Sequence, residues 1–191
     1  EIVRAPEVSR PDYDGTRWTR EETRLDGASR PVQILVKAGA TGPDAITTYD
    51  YDELGQLRSV TLPGTTPVVI GYVIDAMGRR VGRTVDSNPD KMWQYEGSLR
   101  PIAQLDASGA TESVFVYGSR GHVPDLVVRP QTGDIYRLVT DHVGSVRALV
   151  DTVTGLAVQR IDYDAWGRVL SETGSLLDAH PFGFAGGMYD R

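Results

Sequence analysis

Tyr51-Asp52-Glu53-Leu54-Gly55 is the stretch that decides the fold. An Asp side chain can accept a hydrogen bond from backbone two residues on, which starts a tight turn. A Gly three residues later takes a positive φ that a side chain resists. Upstream, Tyr49 and Tyr51 lie two apart and so share one face of a strand. Downstream, Gln56-Leu57-Arg58-Ser59-Val60-Thr61-Leu62 is β-like again. The stretch therefore reads as strand, turn, strand.

The phrase returns along the chain. It recurs as Ile74-Asp75-Ala76-Met77-Gly78, Leu105-Asp106-Ala107-Ser108-Gly109 and Tyr163-Asp164-Ala165-Trp166-Gly167. Thr140-Asp141-His142-Val143-Gly144 has Thr in the apolar slot, and Leu25-Asp26-Gly27-Ala28-Ser29 has Ser in the Gly slot. An internal repeat sets the architecture before any single site does. The first intervals from Asp to Asp are 26, 23 and 31 residues. Such irregular spacing fits hairpins with loops of different length better than a solenoid of fixed period.

Helices have little room. No stretch without Gly or Pro exceeds 11 residues, about the length an ordinary globular helix needs. One short turn, Ser175 to Ala179, is the single helical candidate. Strand candidates are Val32–Val36, Val68–Val73, Lys91–Tyr95, Val114–Tyr117, Leu126–Arg129, Ile135–Thr140, Val146–Val150 and Ala157–Tyr163. The predicted fold class is all-β, built of consecutive antiparallel hairpins.

The 191 residues can bury one sizeable core or two small ones. No apolar run approaches the ~20 residues that cross a bilayer, and the first residues lack a signal-peptide pattern. A net charge of −6 with scattered basic residues argues against a nucleic-acid partner. With no Cys there is no disulfide, thiolate metal site or Cys nucleophile.

Residues 1–30 read as an extended lead-in and 31–135 as degenerate hairpin repeats. In 136–191 the signal tightens. Tyr136-Arg137-Leu138-Val139-Thr140-Asp141-His142-Val143-Gly144-Ser145-Val146 is followed by Thr154-Gly155 and then by Tyr163-Asp164-Ala165-Trp166-Gly167-Arg168-Val169. Pro181-Phe182-Gly183-Phe184-Ala185-Gly186-Gly187-Met188-Tyr189-Asp190 closes the series. These phrases resemble the RHS, or YD-repeat, proteins, and 136–191 resembles the start of the RHS-associated core domain. The resemblance implies a curved β strip forming part of a hollow shell. It implies partners as well: the remainder of the shell, a C-terminal toxin on the same polypeptide, and a secretion-system component or target-cell surface. It also implies secretion or delivery to the cell surface, and in many members a core domain that cuts the chain with aspartates. Here the sequence stops at Tyr189-Asp190-Arg191, before the second half of the core motif, so a fragment without the cleavage region is expected.

Local chemistry adds little. Asp50-Tyr51-Asp52-Glu53-Leu54-Gly55 fails as a calcium loop, with Leu54 fifth and Thr61 twelfth. His142 lies beside Asp141 and near Ser145, but no nucleophile-elbow phrase is present. His122 and His180 are isolated and lack zinc-ligand spacing. Gly183-Phe184-Ala185-Gly186-Gly187 lacks the Lys of a phosphate loop. No cofactor, metal or catalytic residue is assigned.

The residues expected to matter are structural. Asp52, Gly55, Asp75, Gly78, Asp106, Gly109, Asp141, Gly144, Asp164 and Gly167 would hold turns, and Tyr163, Trp166, Phe182 and Phe184 would anchor the core. Three functional readings follow. The first is a shell segment that contains and presents a toxin or effector. The second is a surface module binding glycans or proteins through exposed Tyr and Trp. The third is part of a self-cleaving aspartyl protease core, which requires carboxylates such as Asp141, Asp151 and Asp164 to meet rather than sit in separate turns.

Overall fold

The computed structural model describes residues 3–4, 8–11, 18–38, 44–174, 176 and 178–189. They form two compact units, Glu1–Asp90 and Lys91–Arg191. The division falls inside a strand.

The first unit holds β1 (Val3–Arg4), β2 (Val8–Pro11), β3 (Trp18–Leu25), β4 (Pro31–Ala38), β5 (Asp44–Tyr51), β6 (Leu57–Leu62), β7 (Val68–Ile74) and β8 (Arg80–Val85). Both β1 and β2 pair with β3, and from β3 onward each strand pairs antiparallel with the next in sequence. The lead-in thus contains a full strand, β3. Next comes β9 (Asn88–Glu96), within which the units divide. The second unit continues with β10 (Arg100–Leu105), β11 (Thr111–Val116), β12 (Leu126–Arg129), β13 (Asp134–Thr140), β14 (Val146–Asp151), β15 (Ala157–Tyr163) and β16 (Val169–Gly174), again in chain order.

Every copy of the phrase makes the same turn. Asp52 Oδ1 accepts the N–H of Leu54 at 2.9 Å and of Gln56 at 2.8 Å. Asp26, Asp75, Asp106, Asp141 and Asp164 do the same for their own second and fourth followers. The N–H at the Gly position, or of Ser29 in the first copy, closes the turn on the Asp carbonyl. This is a three-residue hairpin loop whose last residue is left-handed; Gly55 has φ 82° and Ser29 φ 62°.

The register slips once beside each turn. Asp50 faces Ser59 but Tyr51 faces Leu57, so Arg58 is extra. Val32, Val81, Glu112, Arg147 and Leu170 are extra in the other copies, always six residues after Asp. Such bulges add local twist to a strand pair.

At Gly109 a Cβ would meet nothing closer than Met92 Cε at 4.0 Å, with φ +87°. Gly109→Ala is therefore expected to cost about 1–2 kcal/mol from backbone conformation alone. Urea denaturation checks this; no change would mean that the turn relaxes into another type.

One turn escaped the sequence reading. Asp86 (φ 49°) and Ser87 (φ 68°) join β8 to β9 without Gly. Two successive left-handed residues match the tight hairpin turn that suits strand twist. The Asn88 amide donates to the carbonyls of Val85 and Asp86, while Asp86 Oδ1 accepts the Val69 N–H at 2.9 Å. Asp and Asn tolerate this geometry better than bulkier residues do.

A second device is found in both units. The Tyr51 hydroxyl donates to the Pro31 carbonyl at 2.9 Å, with Arg30 4.8 Å over the ring. The Tyr117 hydroxyl donates to the Pro101 carbonyl at 2.8 Å, with Arg100 5.7 Å over the ring. Burial pushes both phenols up from their ordinary range. A cation above an aromatic face contributes about 0.5–1 kcal/mol at such partly exposed positions.

The units differ in their cores. Among the described residues of the first, Val60 is the one buried large apolar side chain, and Leu62, Val69 and Val73 are exposed. In the second, Phe115, Val123, Val127, Tyr136, Leu138, Val146, Leu149, Ala179 and Phe182 form one cluster. Alternation builds it: on β13, Tyr136 and Leu138 are buried while Ile135, Arg137 and Val139 are exposed. Phe115, Val127 and Tyr136 face one another across β11, β12 and β13, and Leu138, Leu149 and Gln159 do so across β13, β14 and β15.

Candidate functional site, a strap clamped across the second unit

Beyond β16 the chain crosses the buried face of the second unit. The described part of this strap is Leu176 and Asp178–Tyr189. The predicted helical turn at Ser175–Ala179 lies partly outside the described residues; Ala179 N–H closes a turn on the Leu176 carbonyl at 3.2 Å. Further on, the strap doubles back. Gly183 N–H donates to the Gly187 carbonyl at 2.8 Å and Tyr189 N–H to the Pro181 carbonyl at 2.7 Å. Between them Phe184–Gly186 makes one 3₁₀ turn, with Ala185 left-handed at φ 50°.

Buried polar side chains on three strands and in the turn before β14 grip this strap. Gln104 on β10 donates to the Asp178 carbonyl at 2.9 Å, while its Oε1 accepts the Trp93 indole N–H at 3.2 Å. Ser113 on β11 donates to the Ala179 carbonyl at 2.8 Å. Gln159 on β15 donates to Glu172 at 2.8 Å, which turns its Oε1 toward His180 Nε2 at 3.1 Å. That orientation makes His180 Nε2 the donor. Ser145 Oγ, just before β14, accepts the Ala185 N–H at 3.0 Å, and the Val146 N–H reaches the Gly183 carbonyl at 3.1 Å. A buried polar group costs free energy unless it is hydrogen-bonded, so these side chains fix the strap's register as well as holding it.

Aromatic packing completes the clamp. Phe182 is 1% exposed and meets Phe115 edge-on at 5.0 Å. His180 stacks on Phe182 at 6.2 Å. Tyr163 and Phe184 meet edge-on at 5.7 Å, and Phe184 lies against Gly167. The Tyr95 hydroxyl donates to Met188 Sδ at 3.1 Å. Trp166 is a correction: expected as a core anchor, it is 91% exposed. Its N–H bonds back to Asp164 at 2.8 Å, so its side chain stands at the outer tip of the turn, and Gly167 takes the packed position instead.

Sequence reasoning missed Gln104, Ser113, Ser145 and Gln159. A usable signal was present: Ser113 lies two before Phe115 and Gln159 two before Ile161, each sharing a buried apolar neighbour's face.

The aspartates hold turns separately. Asp141 accepts from Val143 and Ser145, Asp151 from Val153 and Thr154, and Asp164 from Trp166 and Arg168. The protease reading needed these carboxylates to meet, and each is committed to its own hairpin. The Arg79 guanidinium holds the Asp75 carboxyl below the usual range, and the Ser108 hydroxyl does so for Asp106. A carboxyl depressed in the folded state contributes stability above its unfolded pKa and loses it as pH falls through the folded pKa. Denaturation midpoints should therefore drop below about pH 4. Asp106→Asn, which keeps an acceptor but does not titrate, should flatten that fall; an unchanged profile would place the acid sensitivity elsewhere. No group of three metal-ligating side chains occurs among the described residues.

Comparison with known proteins gives this arrangement a family. Residues 36–191 match the teneurin YD-shell family. The chain is 27% identical over 156 residues to the tRNA3(Ser)-specific nuclease WapA of Bacillus spizizenii, and equally so to the tRNA nuclease WapA of Bacillus subtilis. Each match covers 81% of this chain, which spans 6% of the length of those relatives. Among solved structures, 97% of the chain superposes on 12% of a chain in the TcdB2-TccC3-Cdc42 crystal structure, with TM-score 0.55 and 15% identity. It also superposes on 11% of a chain in a mutant Tc holotoxin pore of Photorhabdus luminescens, with TM-score 0.51 and 15% identity. At that identity the likeness concerns the fold. With its repeated Asp turns and consecutive hairpins, this chain belongs to the teneurin YD-shell family and is a structural segment of such a shell.

Proposed function

We propose that the chain is a piece of wall that encloses and presents a C-terminal toxin or effector carried on the same polypeptide. The observation that carries this reading is the shell-family match over residues 36–191 in a chain related to far longer nucleases. Containment is a property of the sheet: paired strands leave no gap, and alternate side chains face opposite sides. The wall is not itself an enzyme; activity in the parent belongs to the cargo. The partners are the remaining shell and that cargo, with a secretion-system component or a target-cell surface outside. The parent is secreted or delivered to the cell surface. No helix among the described residues is long and apolar enough to cross a membrane.

The test uses the gene product extended by about 150 codons past Arg191, a typical domain length. Intact-mass spectrometry and limited proteolysis are run before and after mild denaturation. Protection of the cargo in the native preparation, lost on denaturation, supports containment. Digestion at the same rate in both states overturns it. Two co-purifying masses would further assign a cut to the region after Arg191, and a single mass would remove self-cleavage while leaving containment standing.

A further inference from the structure

The polar side chains that grip the strap are themselves held by the sheet. The Gln104 amide also donates to Glu112 at 3.2 Å, and Lys91 fixes that carboxylate at 2.6 Å. The Trp93 indole holds the other end of the same amide. Glu172 sets the amide of Gln159. The Ser145 hydroxyl donates to the Asp141 carboxylate while its oxygen accepts the Ala185 N–H. Gln104, Gln159 and Ser145 are thus oriented by β9, β11, β16 and a turn, none of which belongs to the strap. Polar groups fixed in advance in a buried groove are the mark of a recognition site, because little freedom is lost when a ligand arrives.

The strap sits in that groove as a ligand sits. Among the described residues, Val146 N–H to the Gly183 carbonyl is the one backbone hydrogen bond between strap and sheet, so the strap adds no strand. Its tip keeps its own shape through the bonds from Gly183 to Gly187 and from Tyr189 to Pro181. The fit also reads sequence. Ala179, His180 and Phe182 are buried. A Cβ on Gly186 would lie 2.4 Å from Val123 Cγ2 and 2.9 Å from His122 Cδ2. A small residue, an imidazole, an aromatic ring and a glycine therefore each have a defined place.

We propose that the buried face of the second unit is a peptide-recognition site whose ligand is the segment 178–189, bound in cis as the strap and replaceable by the same segment supplied in trans. The ligand class is a peptide carrying Ala-His-Pro-Phe-Gly, with a further Gly at the place of Gly186. The strap is then a latch that can be lifted and replaced without dismantling the sheet beneath it. Its attachment to β16 favours the resident copy, since a short tether supplies an effective concentration of roughly millimolar. This inference does not depend on the cargo reading.

The test uses the full chain with a protease recognition sequence inserted between Gly174 and Leu176. After cutting, a fluorescent peptide of residues 176–191 is added and its anisotropy followed, with unlabelled peptides as competitors. The cut strap should stay with the sheet until excess labelled peptide replaces it. The Phe182→Ala peptide should compete roughly a hundredfold more weakly, as expected for loss of a buried ring. The Gly186→Ala peptide should compete at least about tenfold more weakly, because its Cβ overpacks against Val123. The uncut chain should take up far less labelled peptide, because its tethered strap competes. Circular dichroism of the cut chain, with the strap washed away, should keep its strand signal. Labelled peptide that never enters the cut chain overturns the proposal. Loss of the strand signal together with the strap does so too, since either result makes the strap an inseparable part of the core. Equal competition by the wild-type and Phe182→Ala peptides also overturns it, because binding would then ignore the groove.

Discussion

Phe182→Ala is expected to remove about 3–5 kcal/mol from the stability of the second unit, the cost of truncating a fully buried aromatic ring. Phe182 is the strap's largest fully buried side chain and belongs to a cluster shared by β11, β12, β13 and β14. Its loss leaves a cavity beside Phe115 and removes the surface on which His180 stacks. The hydrogen bonds from Ser113 and Gln104 to the strap backbone then span a segment that no longer fills its site. Urea denaturation of the variant gives the loss directly. A cycle with Phe115→Ala should show coupling of about 0.5–1.5 kcal/mol from the edge-on pair. A loss under about 1 kcal/mol would mean that the strap does not complete this core.

Gly174→Ala should be comparably damaging for a different reason. Gly174 ends β16 at φ +124°, opposite Gln159, and a Cβ there would sit 2.1 Å from the Val158 carbonyl and 2.7 Å from Gln159 Cα. Both are backbone atoms of β15, so no side chain can swing aside. The expected cost is about 3 kcal/mol or more, overpacking added to a forbidden backbone conformation. The strand must pull away, and with it Glu172, which orients Gln159 toward His180. Hydrogen exchange should accelerate along β15 and β16 and at the strap. Wild-type protection would refute the close approach of these strands. The contrast with Gly109→Ala separates crowding from conformation.

What the sequence disclosed was whatever is local. Asp and Gly at fixed separation determine a turn through bonds reaching at most four residues, so all six hairpins at Asp26, Asp52, Asp75, Asp106, Asp141 and Asp164 could be read in advance. The turn at Asp86–Ser87 was hidden because its left-handed residues are not glycines. The strap was hidden because its partners are distant: Ser113 and Ala179 are 66 residues apart, Gln104 and Asp178 are 74. A lone Ser or Gln on a strand carries no mark of a partner so remote. Trp166 misled for the opposite reason: its size suggested burial, whereas its slot in the turn dictated exposure.

The strap also sets a timetable for synthesis. Each hairpin can close as soon as its second strand leaves the ribosome, but Tyr95 meets Met188 93 residues later. At roughly 5–20 residues per second, that wait is about 5–20 s. During it the face of β11 to β15 has no cover and Phe115 and Leu149 stand open to chaperones or to neighbouring nascent chains. A slow codon run between β16 and Phe182 would lengthen that exposure, and a strap peptide supplied in trans would shorten it.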